Sequence, residues 1–85
     1  MKVVGTGLIS AYTATGGGSA TADLQNWLSA TRAAGWLGPS DLRASFPAAT
    51  HAGGHHWDFT MPRSIAQVTA IVNFRNATVL VTRVI

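Results

Sequence analysis

Three histidines and one aspartate fall close together in this sequence: His51, His55, His56 and Asp58. Imidazole titrates near neutrality, so such a group can move protons, meet a phosphate or ligate a metal. His55 and Asp58 stand three residues apart, and Gly53-Gly54 leaves the loop free to fold back onto His51, which is the arrangement a His/Asp metal site needs. No second ligand cluster lies elsewhere in the chain, so no metal and no cofactor is expected. The plain reading is a solvated loop, with phosphate contact or acid–base work as the functional one. Consecutive residues of a strand point to opposite faces, so only one of His55 and His56 can serve a given site.

The arginines of the second half are the other candidates. Arg63 follows Pro62 at a strand junction, from which its side chain can swing onto an anionic substrate. Arg75 belongs to an expected hairpin turn and reads first as a solvated turn residue. Arg83 sits near the end of the last strand. Strict alternation gives it the same face as Val79 and Val81, where snorkelling at a sheet edge is the plain reading and anion contact the functional one. Trp57 alternates with Phe59, opposite His56 and Asp58; it reads as buried, or as an indole on which a base stacks. Trp27 and Trp36 read as core, with Trp36 at a helix end. Gly16-Gly17-Gly18 lacks the following Lys-Ser/Thr of a phosphate loop. Three acids in all, and no Ser/His/Asp set in a recognisable context, leave little for paired-carboxylate or triad chemistry.

The elements that must position these residues have to come from 85 residues, which is one domain spanning 1–85. The formal charge of +3 suits an anionic partner. Hydrophobic residues make up 47% and charged ones 11%, which argues against disorder and leaves little charge to solubilise the surface, so a covering partner is expected. The absence of cysteine excludes disulfides and thiolate zinc sites. No apolar run approaches the roughly 20 residues of a membrane span; Val68 to Val81 is interrupted by Asn73, Arg75 and Asn76. Gly5, Thr6, Gly7, Ser10 and Thr13 make a poor signal-peptide core, so a cytoplasmic location is expected.

Val3 to Ile9 reads as a strand loosened by Gly5 and Gly7. Gly16 to Ser19 reads as a break, followed by a helix capped by Thr21, with Asp23 in its first turn and Arg32 toward its end. Leu24, Trp27, Leu28, Thr31 and Ala34 set its buried face, and Gly35 ends it. Ser40 is placed to cap a short helix over Asp41 to Ser45, stopped by Phe46-Pro47. His55 to Met61 reads as a strand. The alternation of Ala66, Val68, Ala70, Val72 and Phe74 makes the clearest strand, turning at Arg75-Asn76 into Thr78 to Ile85. With Ala66 and Val68 inward, Ile65, Gln67, Thr69, Ile71 and Asn73 share the opposite face. The expected fold is α+β, with an N-terminal strand and helices packed on one face of a small antiparallel sheet.

Trp27-Leu28, Trp36, Pro39, Asp41-Leu42, Arg43-Ala44 and Phe46-Pro47 form a pattern that resembles the helical half of HigB-type toxins of the RelE superfamily. Gly53-Gly54, Phe59, Asn73-Phe74-Arg75 and Val79-Leu80-Val81 continue the likeness without a gap, best over residues 24–84. The resemblance implies a RelE-like fold and the toxin of a type II toxin–antitoxin pair. It implies a metal-free endoribonuclease that cleaves mRNA on the ribosome and is silenced, as a hetero-oligomer, by a small helix-turn-helix antitoxin. In that chemistry a ribose 2′-OH attacks the adjacent phosphate while basic side chains align the backbone and stabilise developing charge.

Within this resemblance His56 matches a position that is often basic, where a histidine can protonate the leaving 5′-oxygen. Arg63 and Arg83 join it as expected catalytic residues, and His55, Trp57 and Arg75 as RNA contacts. The family's Asn-Lys-Tyr-Arg-like run is matched here by Ser64-Ile65-Ala66-Gln67, without either cation, and a further basic position by Ile71. The family's Thr-His segment has no counterpart in these residues. The alternative expectation is therefore a non-catalytic protein on the same scaffold, which captures an antitoxin or another chain through the apolar outer face of its sheet.

Overall fold

The computed structural model describes residues 1–16 and 18–85. Strand β1 (Lys2–Val4) leads into helices α1 (Thr6–Gly16), α2 (Gly18–Ala33) and α3 (Pro39–Ser45). Strands β2 (Thr50–His51), β3 (His56–Thr60), β4 (Gln67–Asn73) and β5 (Thr78–Val84) follow. The strands form one sheet in the order β1-β5-β4-β3-β2. The fold is α+β as expected, but the sheet is mixed: β1 runs parallel to β5, and the other neighbours are antiparallel. No helix among the described residues is long and apolar enough to cross a membrane.

The alternation read in the second half sets the inner face. Trp57, Phe59, Val68, Ala70, Val72, Val79 and Val81 are buried, and Ile9, Leu24, Trp27, Leu28 and Leu42 from the helices, with Trp36 from the connection between α2 and α3, complete the same core. Trp27 and Phe46 each meet Phe59 edge-on, with ring centroids 5.3 and 5.5 Å apart. Trp36 lies beyond the end of α2 and donates its indole N–H to Ser45 Oγ at 2.9 Å. Alternate residues of β3, β4 and β5 face away from this core and are half-buried or exposed.

The first half departs from expectation in one main respect. The strand stops at Val4, and Thr6–Gly16 is helical. Gly5 makes the switch, with a φ of 87° and its carbonyl accepting from the Leu8 N–H at 3.1 Å. Two glycines weigh against a helix here, but packing outweighs local propensity. Ile9 is 1% exposed, and Ser10 and Thr13 turn their hydroxyls back to the carbonyls of Thr6 and Ser10.

Helix α2 begins at Gly18, so Thr21 and Asp23 lie inside it and not at its cap or first turn. Gly17, the centre of the expected break, lies outside the described residues. Arg32 is in the last turn of α2 as expected, and Gly35 lies just past its end at Ala33. The short helix starts at Pro39, with Gly38 as its cap, so Ser40 does not cap it. Proline suits the first turn, where its missing N–H costs nothing. Asp41 takes over the local hydrogen bonding, accepting from the Leu37 N–H at 2.9 Å.

The turn between β4 and β5 holds Ala77 at a φ of 51°. A Cβ is disfavoured in this left-handed region. Ala77→Gly is expected to raise stability by up to about 1 kcal/mol, read as a higher urea midpoint at unchanged slope.

Candidate functional site on the open sheet face

The uncovered face is laid out in rows by the strand register. Lys2, Thr78 and Asn73 form one row, and Val4, Leu80, Ile71 and His56 the next. Arg83, Thr69, Asp58 and Thr50 form a third, and Gln67 and Thr60 pair beyond it. The second row is an apolar stripe across three strands that ends at His56. Val4 and Leu80 are 40% and 39% exposed on it.

Arg83 reaches this face through an irregularity that strict alternation does not contain. Val81 pairs with Ala70, but Arg83 pairs with the adjacent Thr69, so Thr82 is an extra residue on β5. Such a bulge re-aims the side chains beyond it. The Thr82 hydroxyl donates to the Thr69 carbonyl at 3.1 Å, where the ladder is broken. Val84 thereby keeps its place against the core and Arg83 turns outward, which corrects the expectation that Arg83 shares a face with Val79 and Val81. The signal was present in the spacing: the inward residues Val79, Val81 and Val84 step by two and then by three.

His56 stands on the same face, two strands from Arg83 and one row along. Strand spacing and rise put their backbones about 12 Å apart. Between them Thr69 donates its hydroxyl to Asp58 Oδ1 at 2.7 Å, fixing the acid within the row. The face therefore combines an exposed guanidinium, an imidazole, a tethered carboxylate and the Lys2 ammonium. Alternation alone puts Thr69 on this face, whereas the places of Lys2 and Thr82 depend on the parallel pairing of β1 and on the register of β5.

The other candidates are distributed elsewhere. Trp57 is 1% exposed, so it is not a surface on which a base can stack. Its ring is covered by His51, stacked at 4.8 Å, and by the Arg43 guanidinium at 5.2 Å. His51 also donates from Nε2 to the Gly54 carbonyl at 2.7 Å. It pairs with the inward Trp57 in the register, whereas His56 faces outward, so these two histidines diverge. Among the described residues no three His, Cys, Asp or Glu side chains come together. His55 is exposed in the turn before β3, and Arg75 is exposed in the turn between β4 and β5.

Arg63 lies away from the open face. It belongs to the connection between β3 and β4, where it lines a cavity beside α2. Its backbone N–H donates to Asp23 Oδ2 at 3.0 Å, and the Ser64 hydroxyl donates to the same oxygen at 2.8 Å. Asp23, 3% exposed, thus pins this connection to α2. Asp23→Ala leaves both donors without an acceptor and is expected to cost about 2 kcal/mol. Limited proteolysis should then cut first between residues 61 and 66, while Asp23→Asn, which keeps an acceptor oxygen, resists better.

The open face is the surface that brings His56 and Arg83 together, and comparison with models of known protein families and with curated proteins finds no match for this chain.

Proposed function

We propose that this chain is the toxin of a type II toxin–antitoxin pair, a RelE-like endoribonuclease that cuts mRNA on the ribosome in the cytoplasm. The observation that carries the reading is the bulge at Thr82, which places Arg83 on the open sheet face with His56. The resemblance of residues 24–84 to HigB-type toxins supports it, as does a layered fold that leaves this face uncovered. In the reaction the ribose 2′-OH gives its proton to solvent water and attacks the adjacent phosphorus, a 2′,3′-cyclic phosphate forms and the bond to the 5′-oxygen breaks. Arg83 can pair with the phosphate oxygens through two parallel N–H donors as charge builds on them. His56 gives the proton to the departing 5′-oxygen. A helix-turn-helix antitoxin is the partner that the resemblance implies.

A second reading is favoured by the stripe of Val4, Leu80 and Ile71 and by Asp58 on the same face. An apolar row suits a protein partner, and a carboxylate repels phosphate. In that reading the scaffold binds another chain without cutting RNA. Inducible expression in a bacterium, with plating and primer extension on an abundant transcript, separates the two. The nuclease reading expects growth arrest with discrete in-frame cuts. Normal growth with soluble protein and intact transcripts overturns it in favour of the binding protein.

A further inference from the structure

A cavity of about 320 Å³ opens between α2, the end of α3 and the connection from β3 to β4. Its walls include Asp23, Asn26, Trp27, Phe46, Met61 and Arg63. Trp27 is 2% exposed, and its indole N–H is the one buried side-chain polar atom without a hydrogen-bond partner among the described residues. Buried donors are almost always satisfied, so an orphan on a residue that lines a cavity points to an acceptor that arrives from outside, once the nitrogen, which now has almost no accessible surface, is uncovered. The Trp36 indole, by contrast, is satisfied by Ser45.

The remaining walls narrow the chemistry. Phe46, Met61 and Pro62 offer aromatic, thioether and ring surfaces suited to a flat apolar body. The lining holds one carboxylate and one guanidinium, so it carries no net charge and favours a neutral ligand. Asp23 Oδ2 is already committed to the Arg63 N–H and the Ser64 hydroxyl. A dry cavity of about 150 Å³ accepts benzene, so this one has room for a ring with a short polar side group. Met61, unbranched and with several rotatable bonds, is the wall side chain best able to yield when an acceptor approaches.

We propose that this cavity binds a small neutral molecule that bears an aromatic ring and a carbonyl oxygen, the oxygen accepting from Trp27 Nε1. The site lies on the helix side of the sheet, so it stands or falls separately from the nuclease reading. Phenylacetamide is the probe, titrated into the ¹⁵N-labelled full chain while the three indole N–H signals are followed. The expected result is a saturable downfield shift of the Trp27 signal with the Trp36 signal unmoved. Toluene, which has the ring and no acceptor, should bind about tenfold more weakly, and Trp27→Phe should remove that preference. Ala30→Leu fills the cavity from an exposed position of α2 and should abolish the shift in a folded chain. No saturable shift up to about 10 mM, equal binding of toluene, or an unchanged shift in Ala30→Leu would each overturn the proposal.

Discussion

Bacteria expressing the Arg83→Ala chain are expected to grow normally under induction that arrests cells making the unaltered chain. Arg83 is the guanidinium that the bulge turns onto the open face, and Lys2 stands two rows away at its edge. Loss of a group that meets charge developing on the phosphate is worth about 10²–10³-fold in rate. Arg83→Lys keeps the charge and loses the planar pair of donors, so it should recover only part of the cutting. His56→Ala removes the proton donor and should cost about 10²-fold or more. Both side chains are exposed, so each variant should melt like the parent. Arg63→Ala is the internal control: Arg63 belongs to the connection between β3 and β4 beside α2, away from the open face, and cutting should persist. Growth arrest that survives in both the Arg83 and His56 variants would remove these residues from the site.

The largest structural effect is expected from Gly5→Ala. Gly5 has a φ of 87°, where a Cβ costs about 1 kcal/mol by itself. A Cβ built there stands 2.6 Å from the Val81 carbonyl oxygen, which is backbone of a central strand and cannot swing aside. Relieving that contact means moving β5 or the entry to α1, at a further cost of about 1–3 kcal/mol. A total near 3 kcal/mol is most of what a cysteine-free domain of this size holds. The thermal midpoint should fall by about 15 °C, measured by near-ultraviolet circular dichroism of the tryptophans. Gly7→Ala, two residues on, meets nothing within 4 Å and should be neutral or mildly stabilising in α1. Equal melting of the two variants would contradict the close approach at Gly5.

Helix α2 and strand β4 are legible because burial in them follows simple periods. The alternation from Ala66 to Phe74 gave β4 its inward and outward residues, and Leu24, Trp27, Leu28 and Thr31 gave α2 its buried face. The α1 segment was not legible, because its glycines and hydroxyl residues carry weak local preference and its helix is held by Ile9 against the core. The parallel pairing of β1 with β5 joins the two ends of the sequence, and no local pattern reports it. Of the site, alternation puts His56 on the face opposite Trp57 and Phe59, and with those two buried that face is the outward one. Arg83 was assigned to the inward face because alternation was extended through a strand that breaks it. Alternation with Phe59 gives the burial of Trp57, but its cover of His51 and Arg43, like the tie of the Arg63 backbone to Asp23, is set by tertiary contacts that no local pattern reports.

The bulge at Thr82 has a consequence for how this face can change over time. By plain alternation Arg83 would face the core; the bulge absorbs one residue, and Arg83 turns outward. Loss of the Thr82 codon would remove the bulge together with its extra residue, leaving Arg83 outward beside the inward Val81 and Val84 still inward. The face therefore survives the loss of one residue at this point, whereas pairing of the same residues without the bulge would send a guanidinium toward the core and Val84 toward water. Two chains that differ by one residue in β5 can thus present the same face to a substrate, and two of equal length that differ only in the bulge can present opposite ones.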